Sequence, residues 1–120
     1  MRRAIAAVGD MGREADIIQL FNTVDQELGP VTALINNAGM TGNIGRLDEM
    51  TEADMTDVFR LNLIGPFVCA REAVKRMSTK HGGQGGVIVN ITSAAARLGG
   101  AAQYLHYAAS KGGLETFTKG

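Results

Sequence analysis

The chain has 120 residues, of which 45% are hydrophobic and 16 are glycine, so it is long enough for one domain with a buried core and too short for two. Twelve basic and twelve acidic side chains cancel, no basic patch suggests a nucleic-acid partner, and no run of like charges suggests a disordered tail. The apolar run at residues 4–8 is too short for a signal peptide or a membrane span, and Cys69 is the only cysteine, so we expect a cytoplasmic protein without an internal disulfide.

The first third of the chain predicts two strands separated by a helix. The apolar run at residues 4–8 ends at a Gly-Asp pair and is typical of a buried strand. Apolar residues at helical spacing predict a helix at residues 14–28, which a Gly-Pro pair ends. A second buried strand is expected at residues 32–35, and it leads into an Asn-Asn-Ala-Gly turn.

The rest of the chain predicts a long helix, a third strand and a last helix. Residues 51–54 resemble a capping box and open a helix that extends to about residue 77, with a kink at Pro66. A glycine-rich turn precedes a strand at residues 87–91, and the last helix begins near Tyr104. Strands that alternate with helices predict an α/β fold, in which helices cover both faces of a parallel sheet.

Polar residues follow each predicted strand. Asp10, Asn37 and Ser93 come just after the three strands, and Tyr107 lies on the helix after the third. In a parallel sheet, ligands bind beyond the carboxyl ends of the strands. We therefore expect these four residues to line one crevice.

The spacing of Tyr107 and Lys111 points to proton transfer. Residues four apart share one face of a helix, so the ammonium group is expected beside the phenol. A free phenol titrates near ~10, and a neighbouring cation favours its ionised form, as a proton-transfer catalyst requires. A hydroxyl from Ser93 is suited to hold a substrate carbonyl against the tyrosine. The pattern indicates carbonyl and alcohol chemistry, although this spacing alone also arises by chance.

Four motifs follow one another along the chain: Leu-Ile-Asn-Asn-Ala-Gly at 34–39, Asn-Leu-Ile-Gly at 62–65, Val-Ile-Val-Asn-Ile-Thr-Ser at 87–93 and Tyr-Ala-Ala-Ser-Lys at 107–111. Together they resemble the short-chain dehydrogenase/reductases, Rossmann-fold enzymes that use a nicotinamide cofactor. Their order and separations fit that family over nearly the whole chain. The stretch 93–111 looks most like bacterial 3-oxoacyl carrier-protein reductases and sugar dehydrogenases.

The resemblance implies an oxidoreductase that transfers a hydride between NADP or NAD, with NADP slightly favoured, and a small carbonyl or alcohol substrate. Tyr107 would be the general acid or base, and Lys111 would lower the pKa of this tyrosine and bind the nicotinamide ribose. Ser93 would polarise the substrate carbonyl, and Asn62 would interrupt its helix and hold a water that relays protons to Lys111. Asp10, together with Met11, would flank the adenine. The cofactor set implied in this way is Asp10, Met11, Asn37, Ala38, Gly39, Tyr107 and Lys111, the substrate set is Ser93 and Tyr107, and no metal is expected.

The same resemblance implies that residues 1–120 form one partial Rossmann domain of a doubly wound parallel sheet. Residues 4–8 correspond to the family's third strand. The first βαβ portion, with its Gly-rich pyrophosphate loop, and the C-terminal strands are therefore expected to be missing. The parent protein is expected to be a homodimer or homotetramer that pairs the Asn62 and Tyr107 helices, with no nucleic-acid or membrane partner.

Simpler roles stay open for several of these residues. Asn62 could simply be a polar residue that bends its helix, and the Ser93 hydroxyl could form hydrogen bonds with the backbone of its own loop. Asp10 could be no more than a turn or N-cap residue. His106 is expected at the surface. The three glycines at spacing three within residues 39–45 are not a phosphate loop, since no helix opens inside them. For the whole chain, the alternatives are a non-catalytic binding module on the same fold and an inactive truncated product.

Overall fold

Two parallel strands form the sheet of the computed structural model, which describes residues 3–120. Strand β1 (Ala33–Asn36) pairs with β2 (Val87–Asn90), with Asn36 opposite Asn90. The helices are α1 (Glu14–Glu27), α2 (Glu52–Phe59), α3 (Gly65–Met77), α4 (Ala95–Leu98) and α5 (Leu105–Lys119), with a π-helical turn at Arg60–Ile64 and 3₁₀ turns at Leu47–Glu49 and Thr79–His81. The α/β class and the parallel sheet are confirmed, and all but one of the predicted elements form near their expected positions.

The predicted first strand is wrong in this structure. Residues 4–8 have no regular secondary structure, and Val8 is fully exposed. A strand is stable only when its peptide groups pair with those of a neighbour, and no strand lies beside these residues in the described part of the chain. The segment is anchored instead by Arg3, whose guanidinium donates to the carboxylate and the carbonyl of Glu27 at 2.7 and 2.8 Å.

The core lies between the sheet and two helices. Its buried residues recur at a spacing of four on each helix, which aligns them on one face. They are Ile17 and Phe21 of α1 and Cys69, Ala73 and Met77 of α3, with Leu34 and Ile88 of the sheet packed against them. Burial, with a smaller contribution from the neighbouring Glu72 carboxylate, raises the pKa of the Cys69 thiol to about 11. This thiol is therefore protonated at neutral pH and behaves as a small hydrophobe, as expected.

Only one face of the sheet is covered by helices in the described residues, so the prediction of helices on both faces is not met there. Leu34 and Ile88 face α1 and α3, and the side chains between them along the strands point the other way. Ile35, Val87 and Val89 are accordingly 57%, 53% and 40% exposed.

None of the described helices is long and apolar enough to span a bilayer.

A buried carboxylate ties α3 to its neighbours. Glu72 is 5% exposed and accepts from Arg71 at 3.0 Å, Lys75 at 3.2 Å and Arg76 at 3.2 Å. Arg76 also bridges to Asp25 of α1 at 2.9 Å. Burial alone raises the pKa of the Glu72 carboxyl, but the hydrogen bonds from its three cationic neighbours outweigh that effect and leave the pKa below its ordinary value.

This cluster makes stability depend on pH. Because the pKa of Glu72 is lower in the folded chain than in the unfolded one, its contribution is present above the ordinary glutamate pKa and is lost as pH falls through the folded value. We expect Glu72→Gln to lower the free energy of unfolding by about 1–2 kcal/mol at pH 7, since Arg71 and Lys75 are partly solvated, and by little at pH 3. Urea titrations at both pH values measure this. The exposed Glu49→Gln is the control, and an equal loss at both pH values would contradict the prediction.

Candidate active site

The long helix predicted from residue 51 forms with one interruption. Its start is the predicted capping box, in which Thr51 Oγ1 accepts from the Asp54 N–H at 3.1 Å and Asp54 Oδ2 accepts from the Thr51 N–H at 3.0 Å. Its middle turn, Arg60–Ile64, is π-helical, with the fully buried Asn62 at the centre. The irregularity therefore lies at Asn62, ahead of the predicted kink at Pro66, which occupies the first turn of α3 where a missing N–H is tolerated.

Asn62 contacts the loop that follows β1. Its Oδ1 accepts from the Met40 N–H at 2.8 Å, and its Nδ2 donates to the Met40 carbonyl at 2.8 Å. The same Nδ2 donates to Ser110 Oγ at 3.1 Å. Such a set satisfies nearly all of the hydrogen-bonding capacity of a buried amide. The side chain thus does more than bend its helix, because it pins one residue of the loop from both sides.

Lys111 is a buried lysine near the ring of Tyr107. The lysine is 5% exposed, and its Nζ lies 6.0 Å from the centroid of the Tyr107 ring. Nζ donates to the Ile91 carbonyl, at the end of β2, at 2.9 Å. No carboxylate pairs with it among residues 3–120. A lysine ammonium carries three N–H groups, so two of them stay available to a further acceptor.

Ser93 follows β2 two residues after Ile91, to which Lys111 is bonded, and Tyr107 lies one turn before Lys111 on α5. Ser93 Oγ accepts from the Ala95 N–H at 3.2 Å, which leaves the hydroxyl proton free to donate. Tyr107 is partly buried and lies in the first turn of α5, where its ring meets the Tyr104 ring edge-on at 5.7 Å. Both side chains are therefore accessible and both retain a donor.

The turn after β1 approaches the same place. Asn37, Ala38 and Gly39 are exposed. A Cβ on Gly39 would lie 3.3 Å from Lys111 Nζ and 3.4 Å from Asn62 Oδ1, closer than side chains comfortably pack. The absence of a side chain at Gly39 lets the backbone approach these two groups, so the structure brings Gly39, Asn62 and Lys111 together.

Asp10 and Met11 lie on another side of the turn at 37–39. Asp10 Oδ1 accepts from the Gly12 N–H at 2.7 Å, and the Asp10 N–H donates to Asp16 Oδ2 at 2.9 Å, so Asp10 forms the turn that leads into α1. Met11, Asn37 and Ala38 line an apolar cavity of about 210 Å³ beside β1. Ser93, Tyr107 and Lys111 do not line this cavity, so the predicted cofactor residues fall into two groups joined by the turn.

The expectation that His106 is at the surface is wrong. The side chain is 3% exposed, and neither ring nitrogen has a hydrogen-bond partner in the part of the chain that the structure describes. It lies under Gly42, whose φ of 71° is unfavourable for a side chain. A Cβ at Gly42 would be 3.0 Å from His106 Nε2 and would overlap the Val58 side chain. The loop backbone thus seals the imidazole between α5 and α2.

We expect His106→Leu to raise the free energy of unfolding by about 1–2 kcal/mol, because a buried polar group without partners costs more than an apolar side chain of similar volume. Chemical denaturation of the two proteins measures the difference. His81→Leu, at an exposed position, is the control and should change stability little. A loss of stability in His106→Leu would contradict the prediction.

Three further polar contacts were not predicted from the sequence. Asn36 Nδ2 donates to Asn90 Oδ1 across the two strand ends at 2.9 Å, and Asn90 Nδ2 donates to Thr118 Oγ1 of α5 at 2.9 Å. Ser110 is fully buried and contacts Asn62, as described above. The sequence feature that could have indicated the two asparagine contacts is that each apolar strand ends in an asparagine, at matching positions in two of the motifs.

Comparison with known proteins identifies relatives of the whole chain. The family model described as short chain dehydrogenase matches residues 1–120. An uncharacterized oxidoreductase of Escherichia coli K12, YgfF, is 42% identical over 118 residues, which are 98% of this chain and 48% of that protein. The 2-dehydro-3-deoxy-D-gluconate 5-dehydrogenase of Formosa agariphila is 34% identical over 98% of this chain and 44% of its own length.

A solved structure has the same fold. The crystal structure of an NAD⁺-bound xylitol dehydrogenase superposes with a TM-score of 0.83 at 27% identity, over 94% of this chain and 42% of that one. The chain therefore spans somewhat less than half the length of the relatives it matches.

Proposed function

Because the chain belongs to the short-chain dehydrogenase family, we propose that it carries the catalytic residues of an NAD(P)-dependent oxidoreductase acting on a carbonyl or alcohol. The observation that carries this proposal is the buried ammonium of Lys111, tied to the end of β2 and placed beside the Tyr107 ring with two N–H groups to spare. A lysine buried without a carboxylate is costly to maintain, which favours a functional reason for it.

The residues present fit a nicotinamide cofactor. The free N–H groups of Lys111 are suited to the hydroxyls of a ribose, and the side-chain-free backbone at Gly39 leaves room for a close approach next to them. Asn37 and Ala38 continue this surface, and Asp10 and Met11 would extend it towards adenine. When bound, the nicotinamide supplies or accepts the hydride. The choice between NAD and NADP rests on the resemblance, which favours NADP slightly, while the matched xylitol dehydrogenase is NAD⁺-bound.

The side chains of this chain would carry out the proton transfer. In carbonyl reduction, the Tyr107 O–H donates its proton to the substrate oxygen as that oxygen gains charge, and in alcohol oxidation the phenolate takes the proton back. The Ser93 hydroxyl, whose proton is free, donates a hydrogen bond to the same oxygen. The Lys111 ammonium compensates the charge left on the phenol oxygen. Asn62 would hold the water that returns a proton to this pair.

The proposal also covers the domain organisation, the oligomeric state and the location of the enzyme. Residues 1–120 form one partial Rossmann domain, and the parent protein is a cytoplasmic homodimer or homotetramer acting on a small molecule. The chain contains both the Asn62 and the Tyr107 helices that are expected to pair, so we expect it to form dimers or tetramers itself. Size-exclusion chromatography with light scattering measures the number of copies, and a monomer at micromolar concentration would contradict pairing through these helices.

Label transfer tests the reaction. The 120-residue chain is mixed with NADH or NADPH that carries deuterium at the transferable position, together with a panel of ketones and aldehydes. We expect deuterium at the former carbonyl carbon of the alcohol product, detected by mass spectrometry. Cofactor binding without label transfer would support a binding module, and the absence of both would support an inactive product.

A further inference from the structure

Ser110 is a buried hydroxyl to which the proposed mechanism gives no role. It is fully buried on α5, between Tyr107 and Lys111 in the sequence. Its Oγ donates to the Tyr107 carbonyl at 2.7 Å and accepts from Asn62 Nδ2 at 3.1 Å. Because the one hydroxyl proton is committed to the helix carbonyl, a lone pair of the oxygen must face Asn62. The orientation of the serine is therefore fixed from both sides.

These bonds join two segments that are far apart in the sequence. Asn62 also accepts from the Met40 N–H and donates to the Met40 carbonyl, each at 2.8 Å. A continuous set of hydrogen bonds thus runs from the loop after β1, through Asn62 and Ser110, to the backbone of Tyr107. Met40 directly follows the turn at residues 37–39 that approaches Lys111.

A second hydroxyl on the same helix offers a matched comparison. Thr118 Oγ1 donates to the Leu114 carbonyl at 2.7 Å and accepts from Asn90 Nδ2 at 2.9 Å. The two hydroxyls therefore make the same kinds of bond, one to their own helix and one to an asparagine. They differ in what the asparagine contacts next: Asn90 accepts from Asn36 Nδ2 at the end of β1 at 2.9 Å, whereas Asn62 is bonded to Met40 within the loop itself.

We propose that Ser110 is a positioning residue that couples the loop after β1 to the turn of α5 bearing Tyr107 and Lys111. Its catalytic consequence rests on the proposed function, since a cofactor that settles against residues 37–39 would, through this coupling, also set the Tyr107 backbone. The coupling itself is a property of the folded chain and does not require turnover.

Amide hydrogen exchange tests the coupling directly. In Ser110→Ala one N–H of Asn62 loses its acceptor, so the amide group is held less firmly against Met40. We expect exchange of the Met40 N–H, measured by NMR on the full chain, to become at least about fivefold faster. A change of this size corresponds to the loss of roughly one hydrogen bond. Exchange of the Ile88 N–H within the sheet should not change. Thr118→Val, which removes the matched hydroxyl, should leave Met40 unchanged.

Two outcomes overturn the proposal. One is an unchanged Met40 exchange rate in Ser110→Ala, and the other is an equal acceleration in Thr118→Val. Ser110→Cys keeps the shape and a weak donor and acceptor, so it should restore part of the protection and it also carries the test if the alanine variant does not fold.

Turnover supplies a separate readout. In the label-transfer assay we expect Ser110→Ala to lower kcat about tenfold with KM little changed, because a displaced Tyr107 affects the reacting geometry more than substrate binding. A kcat equal to that of Thr118→Val would contradict the positioning role. If the unsubstituted chain transfers no label, the proposed function fails, while the Met40 exchange rates still decide the coupling.

Discussion

Replacing Tyr107 with phenylalanine should abolish deuterium transfer and leave cofactor binding nearly unchanged. The substitution removes one oxygen from a partly buried ring whose edge-on contact with Tyr104 does not involve that oxygen. This hydroxyl is the proposed proton donor, and the Lys111 ammonium lies 6.0 Å from the centroid of its ring. General acid catalysis is worth about 10²–10⁴ in rate, so the loss should be at least of that size. Steady-state kinetics and cofactor fluorescence titration measure the two effects.

Tyr104→Phe is the matched control for this prediction. Tyr104 is also a tyrosine at the start of α5, and the two rings are in contact, but four residues after it stands Ala108 in place of a lysine. Its loss should change the rate little. Comparable rates in Tyr107→Phe and the unsubstituted chain would refute the assignment of the general acid. Equal losses in both variants would show that the aromatic pair, and not the proton donor, matters.

Local patterns predicted most of the fold because their physical causes are local. The capping box at residues 51–54 uses atoms three residues apart, and the helix at residues 14–28 follows from an apolar stripe together with the Gly-Pro pair that ends it. The strand at residues 4–8 was predicted from an apolar run alone. A strand forms only when a neighbouring strand is present to pair with it, and a run of apolar residues does not indicate whether there is one.

The candidate site was predicted from motifs, and the structure adds the contacts that motifs cannot contain. Lys111 was expected beside Tyr107, and it is there, but its bond to the Ile91 carbonyl depends on where β2 ends. His106 has a polar side chain and was expected at the surface. Its burial depends on Gly42, 64 residues earlier, whose backbone conformation lets the loop close over the ring. Such tertiary contacts leave no periodic signal in the sequence.

Replacing Gly65 with alanine should cause a large loss of stability. This glycine follows the π turn at Arg60–Ile64 and is buried. A Cβ there would overlap the Met11 carbonyl oxygen and lie 3.3 Å from the Arg60 carbonyl oxygen. Both obstacles are backbone, so they cannot rotate away as a side chain can. We expect Gly65→Ala to lower the free energy of unfolding by about 2–3 kcal/mol, even though alanine favours helices over glycine by about 1 kcal/mol.

Gly112→Ala separates this steric effect from helix propensity. Gly112 lies inside α5, and a Cβ there would meet only the Ala96 carbonyl oxygen at 3.9 Å, an ordinary contact. This substitution should stabilise the chain by about 0.5–1 kcal/mol, because it restricts the unfolded state and introduces no clash. Urea denaturation of the two variants should therefore give changes of opposite sign. Stabilisation by both alanines would mean that the turn at Met11 does not pack against the helix at Gly65, and the position of the candidate cofactor residues Asp10 and Met11 relative to the π turn would have to be revised.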